Sequence, residues 1–160
     1  MLPSVSHAAS SGRLGIVHSD ALISPATLPN HGAMMTNNDV LFLILLLQIK
    51  HFICDGPLQT KAMVDGKSIY GNRLGLLHAG IHGVGTIAAL AWFGLGWKVV
   101  LGLAVADMVL HYHIDFTKEN IVKLKGWTMA VREFWWALAA DQFLHHLTYL
   151  AIAAIIVSLA

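Results

Sequence analysis

The chain has 160 residues, 56% hydrophobic and 12% charged, where soluble domains are charged at roughly a quarter of positions. That composition excludes an ordinary soluble domain, and a net charge of +1 with histidine neutral supplies no basic surface for nucleic acid. The single cysteine, Cys54, excludes an internal disulfide and a Cys-based zinc cluster.

Residues 1–38 are rich in Ser, Ala, Pro, Asn and Gly without a sustained apolar period, which predicts a flexible polar tail. No charged n-region leads into a compact apolar run, so a cleaved signal peptide is not expected. Met34 and Met35 offer alternative starts, and His7, His18 and His31 read as solvated loop residues. From 39 to 160 the pattern predicts a four-span membrane domain, at roughly 20 residues per span. The first span, 39–55, is interrupted by Gln48 and Lys50, and Lys50 is expected to snorkel to a nearby surface. Asp55-Gly56-Pro57 ends it, since Gly and Pro both break helices. A polar connection follows, with Lys61, Asp65, Lys67 and Arg73 and room for a short surface helix.

The second span, 74–93, carries Gly80, Gly83 and Gly85, which allow close helix approach. Gly94-Leu95-Gly96 is a turn between Trp92 and Trp97, residues that suit a membrane interface. The third span covers 98–116. Residues 117–132 are basic, with Ile121, Leu124, Trp127 and Met129, and read as an interfacial amphipathic segment. The fourth span, 134–158, is entered through Trp135 and Trp136. The expected fold is therefore an all-α integral membrane bundle of four helices behind a flexible tail.

Lysine and arginine set the orientation. Lys61, Lys67, Arg73, Lys118, Lys123, Lys125 and Arg132 lie in the two long connections, whereas the other side holds Arg13 and Lys98. The positive-inside rule places the long connections in the cytoplasm. A bacterial inner membrane is the expected location.

Four pairs of polar residues punctuate these spans at a spacing of four: His51 with Asp55, His78 with His82, His111 with Asp115, and Asp141 with His145. That spacing puts both members on one helix face, one turn apart. With the expected orientation all four pairs fall in one leaflet, at similar depth. Each pair alone is a weak signal; four built only from His and Asp converge on one site. An ionised Asp at the centre of a membrane helix costs ~3 kcal/mol, and a structural zinc site releases about 10–16 kcal/mol. Five His and three Asp form a ligand set for one or two divalent ions such as Zn, Mn or Fe. Four-helix carboxylate proteins build dinuclear sites from inward ligands at comparable spacing. The alternative is a hydrogen-bonded His–Asp network that locks the helices without metal. A haem held by His78 and His82 or by His51 and His111 ranks lower, because it has no use for three aspartates.

Other polar residues divide by face. Asp107 extends the stripe of His111 and Asp115, as a supporting partner or a further ligand. His113 and His146 point away from their paired neighbours. Gln59, Lys61 and Lys118 follow the motifs on the lysine-rich side, where lipid headgroups are the ordinary partners and an anionic substrate the alternative. Cys54 reads as a small buried residue.

The stretches His51-Phe-Ile-Cys-Asp55 with Pro57-Leu-Gln-Thr60, Leu77-His78-Ala-Gly-Ile-His82, His111-Tyr-His-Ile-Asp115 with Lys118, and Asp141-Gln-Phe-Leu-His145 together resemble a bacterial and phage membrane-protein family called domain of unknown function 3307. The resemblance covers about residues 40–155. Where that family carries an aromatic residue after the first Asp, this chain has Gly56. The resemblance implies a small multi-span membrane protein and no particular activity. The motif style also resembles that of membrane-bound metal-dependent hydrolases, an analogy only.

The first functional expectation is a metal-dependent hydrolase at the cytoplasmic leaflet, acting on a phosphate ester or a lipid-linked substrate. There is no nucleophilic Ser motif or Gly-rich phosphate loop, so an enzyme here leans on metal and water. His51, Asp55, His78, His82, His111, Asp115, Asp141 and His145 are the candidate ligands, with Asp55 or Asp115 as general base because both lie at helix ends nearest the cytoplasm. The alternatives are a divalent-metal carrier or sensor and a structural or interaction protein of the envelope.

Overall fold

The computed structural model describes residues 35–159, so most of the tail expected over 1–38, with His7, His18 and His31, lies outside the described part. All regular structure among the described residues is helical: α1 (Asn37–Asp55), α2 (Lys61–Gly66), α3 (Arg73–Ala91), α4 (Trp97–Lys125) and α5 (Arg132–Leu159). Of these, α1, α3, α4 and α5 are long and apolar enough to cross a membrane. The described residues thus form an all-α bundle of four membrane-length helices.

Local chemistry sets the helix ends. Thr36 and Asp39 form a capping box, in which the Thr36 hydroxyl accepts from the Asp39 N–H and the Asp39 carboxylate accepts from the Thr36 N–H. Helix α1 therefore begins at Asn37, inside the stretch assigned to the tail. Asn72 caps α3 by accepting from the N–H groups of Leu74 and Gly75. At its other end α4 closes on Gly126, whose φ of 63° is the left-handed conformation that glycine adopts without strain. No Gly or Pro interrupts 117–125, so the basic stretch read as interfacial supplies the last turns of α4, and 126–131 form the connection to α5. At 1.5 Å per residue, α4 is roughly 43 Å long, against about 30 Å of hydrocarbon. Helix α1 ends at Asp55, while α4 runs well past the residues facing Asp55.

The four long helices form a square in the order α1, α3, α4, α5, each packed on two neighbours. Outward faces are apolar: Phe52 is 72% exposed and Phe143 65%. Continuous apolar surface of that kind suits lipid rather than water. Inside, the bundle has two halves. Toward the Gly94 turn, Leu43, Leu47, Leu90, Leu103, Tyr149, Ile152 and Ile156 form a packed apolar core. Toward the lysine-rich connections the interior is polar. The 56–72 connection folds back over that polar end. Tyr112 Oη accepts from the Gly71 N–H, and Asn120 donates to the Ser68 carbonyl. Gly66 packs against the Asn72 cap, where a Cβ would come within 2.6 Å of Oδ1.

Lys50 does not snorkel. It is buried, and its Nζ lies 2.6 Å from Asp107 and 3.1 Å from Thr86 Oγ1, while Thr86 also donates to Asp107. The stem passes over Gly85, where a Cβ would stand 2.6 Å from Lys50 Cγ. A buried carboxylate within reach holds the ammonium more firmly than a distant surface, and Gly85 leaves room for its stem.

Candidate metal centre

The four pairs meet inside the polar half. Helix α1 brings His51 and Asp55, α3 brings His78 and His82, α4 brings His111 and Asp115, and α5 brings Asp141 and His145. All but Asp55 are buried; the Asp55 side chain keeps 18% of its surface exposed.

Two groups of ligand-type atoms are close enough to share an ion: Asp55, His78, His82 and His111, and then His111, Asp115 and His145. In each group the atoms lie within 4.8 Å of one another, and His111 belongs to both. Asp55 Oδ1 is 3.0 Å from His78 Nε2, 3.2 Å from His82 Nε2 and 3.8 Å from His111 Nε2. Asp115 Oδ2 is 3.1 Å from His111 Nε2 and 3.4 Å from His78 Nε2, and Asp115 Oδ1 is 3.7 Å from His145 Nε2. Ligand atoms bound at about 2.1 Å stand roughly 3.0–3.4 Å apart around one ion, so several of these distances have the right size. The His111 ring lies between those of His82 and His145, stacked at 3.5 Å and 4.1 Å between centroids.

Protons, one on each ring, and a shared cation are the two ways to fill this arrangement. His78 Nε2 and His111 Nε2 are 3.0 Å apart, and each also faces a carboxylate oxygen at 3.0 or 3.1 Å. If both nitrogens carry protons, two N–H groups sit side by side. If one does not, its lone pair faces a carboxylate. The charge count favours the cation when the imidazoles are neutral. Among the described residues, Asp55, Asp115 and Asp141 have one ammonium within ion-pair distance, that of Lys67, whose Nζ is 2.9 Å from Asp115 Oδ2. With neutral imidazoles two negative charges remain without a counter-ion, which is the charge of one divalent cation.

Two of the eight paired residues stand outside both groups. His51 uses both ring nitrogens elsewhere: Tyr149 Oη lies 2.8 Å from Nδ1, while Nε2 faces Gln142 Oε1 at 3.0 Å and Asp55 Oδ2 at 3.2 Å. A proton on Nε2 and a hydroxyl donated to Nδ1 satisfy all three, and no lone pair is left for an ion. His51 thus orients Asp55. Asp141 accepts from the Gln142 amide, and its Oδ1 is 3.7 Å from His145 Nε2. One feature departs from usual metal-binding histidines, which donate their far N–H to a carboxylate or carbonyl. The Nδ1 atoms of His78, His82 and His111 have no hydrogen-bond partner among the described residues.

Asp107 stays with Lys50 and Thr86, apart from both groups. His113 is exposed and faces the Val109 carbonyl; His146 is exposed and lies 3.5 Å from the Gln48 amide. Gln59 donates to the Asp55 carbonyl, and Lys61 pairs with Asp65 at the surface. Cys54 is buried, with Sγ 3.8 Å from the Ile81 carbonyl. Sequence reasoning missed Thr86, Tyr149, Gln142 and Lys67. Thr86 and Tyr149 each lie four residues beyond a paired histidine, so the same helical spacing carried forward finds them. Lys67 bears no such signal, because it reaches the site from a loop.

No curated protein and no solved structure matches the chain. The family described as a protein of unknown function, DUF3307, matches residues 41–160, so the chain belongs to that family.

Proposed function

We propose that the His/Asp cluster is a divalent-metal centre of a membrane-embedded hydrolase. Its working face would be the cytoplasmic leaflet of a bacterial inner membrane, and its substrate a phosphate ester or a lipid-linked analogue. The observation that carries the reading is the close approach of His78 Nε2 to His111 Nε2 between two carboxylates. A cation satisfies all four atoms at once. Two groups sharing His111 fit one ion or a pair.

A divalent ion held there supplies Lewis acidity and lowers the pKa of a bound water toward ~7. The chain's own residues divide the remaining work. Asp55 is the better general base of the two expected, since its side chain is 18% exposed and that of Asp115 is 5% exposed beneath Lys67. His51, held by Tyr149 and Gln142, fixes the Asp55 carboxylate and keeps one oxygen directed at the histidines. Lys67 places a cation beside Asp115, where it can meet an anionic oxygen of substrate. The packed core toward the Gly94 turn offers an ion no polar route onward, which supports a fixed centre over a carrier.

A second reading has one observation in its favour. The Nδ1 atoms without partners suit a metal-free network, because an unmet lone pair costs less than an unmet N–H. Elemental analysis of the purified protein decides between the two. One or two equivalents of zinc, manganese or iron, lowered in His78→Ala and His145→Ala, together with metal-dependent product release from lipid-linked phosphoesters in detergent, is the expected result. Metal-free protein of full stability and unchanged cellular function would establish the network instead. Metal flux across sealed vesicles without hydrolysis would make the protein a carrier.

A further inference from the structure

A groove of about 670 Å³ runs between α4 and α5 on the outer face of the bundle. Its polarity changes along its length. At the lysine-rich end stand Lys118 and Arg132 together with Glu133, and Trp127 and Trp136 are beside them. Deeper along both helices the lining is Leu110, Ile114 and Leu144. From Arg132 to Leu144 the helix rises roughly 18 Å. Part of the wall is Asp141, buried to 4% exposure, whose Oδ1 has no hydrogen-bond partner and lies 3.7 Å from His145 Nε2. Asp141 therefore touches both the groove and the His/Asp cluster.

We propose that this groove holds one lipid with a phosphate-ester headgroup. The phosphate lies between Lys118 and Arg132, and the chain follows Leu110, Ile114 and Leu144. Charge and location together select this occupant. Lys118 donates to Glu119 at 2.5 Å and keeps two further N–H groups for an anion. Arg132 is only 3.9 Å from Glu133, an exposed pair that exchanges readily for phosphate. Trp127 and Trp136 sit where aromatic residues meet headgroups. The groove opens on the lipid-facing side of α4 and α5, so a chain enters it without leaving the bilayer, whereas a soluble phosphate has no use for its apolar depth. This inference rests on the hydrolase reading for the fate of the lipid, not for its binding.

The test uses the full chain in phosphatidylcholine vesicles, with Trp92, Trp97 and Trp135 changed to Phe so that emission comes from Trp127 and Trp136. Phosphatidic acid with brominated chains is added at a few mole per cent and compared with brominated phosphatidylcholine at the same fraction. Stronger quenching by the phosphatidic acid, several-fold in mole fraction, is expected. Lys118→Gln with Arg132→Gln removes the difference, and so does Leu110→Trp, which fills the groove from α4. Metal content stays at the wild-type level in both variants. Equal quenching by the two lipids, or a preference that survives both variants, overturns the proposal. A preference abolished by inorganic phosphate also overturns it, as the site would then read a free anion. Turnover of a soluble phosphate ester, measured on the same samples, separates the two claims. Turnover without lipid preference sinks the groove alone; preference without turnover sinks the hydrolase alone.

Discussion

The half of the bundle next to the Gly94 turn is held by Leu43, Leu47, Leu90 and Ile156 packed around Tyr149, whose Oη turns to His51. The half next to the lysine-rich connections holds five histidines and three aspartates in the same cross-section. Lys50, Thr86 and Asp107 lie between the two as a closed unit. In lipid an apolar interior gains little over lipid-facing Leu, so packing in the first half supplies shape rather than driving force. A polar interior costs free energy unless every group finds a partner. Lys50 and Asp107 neutralise each other. With neutral imidazoles the interior of the lysine-rich half carries negative charge in excess of its ammonium groups, which is where the proposed metal centre lies.

The sharpest way to break this contrast is at the residue both groups share. His111→Ala removes a ligand from each, so bound metal measured by elemental analysis falls to near zero. His82→Ala or His145→Ala touches one group and loses about half of a two-ion complement. Equal loss at all three positions would mean one undivided site. Next in size is Asp55→Asn, which keeps an oxygen facing His78 and His82 but removes the base. Turnover is expected to drop about 10²–10⁴-fold with most metal retained, read as product release beside metal content. Unchanged turnover would leave Asp55 a ligand only.

The boundary unit predicts a stability effect and no metal effect. Lys50→Met strands Asp107 in the interior and costs about 3–5 kcal/mol, seen as a lower unfolding midpoint in detergent. Lys50→Met with Asp107→Leu recovers most of it. Failure of the double variant to recover would tie the pair to the site after all. Gly85→Ala drives a Cβ to 2.6 Å from the Lys50 stem and costs about 1–3 kcal/mol. At the surface, Lys61→Ala breaks the exposed pair with Asp65 and leaves unfolding and metal content unchanged.

Helix number and the inward faces were legible in the sequence for one reason: the signals are periodic along single helices. Apolar runs of span length and polar residues at a spacing of four need no knowledge of neighbours. Lys125 was harder to place as the end of α4. A basic stretch with scattered apolar residues fits both an interfacial segment and the overhang of a long helix, and the deciding feature is the glycine at 126. Lys50 misled because snorkelling is the usual fate of an isolated membrane lysine.

By itself the sequence determined that this is an all-helical membrane chain and that its paired histidines and aspartates face inward on four helices, since hydropathy and helical spacing are properties of each segment alone. Only the tertiary structure decided which of them share an ion-sized space. His111 serves both groups, whereas His51 turns to Tyr149, Gln142 and Asp55. It also decided that Lys50 closes on Asp107 and that Lys67 reaches Asp115 from a loop. These are distances between different segments, fixed by how the helices pack and by where a folded-back connection lands, and no local pattern encodes them.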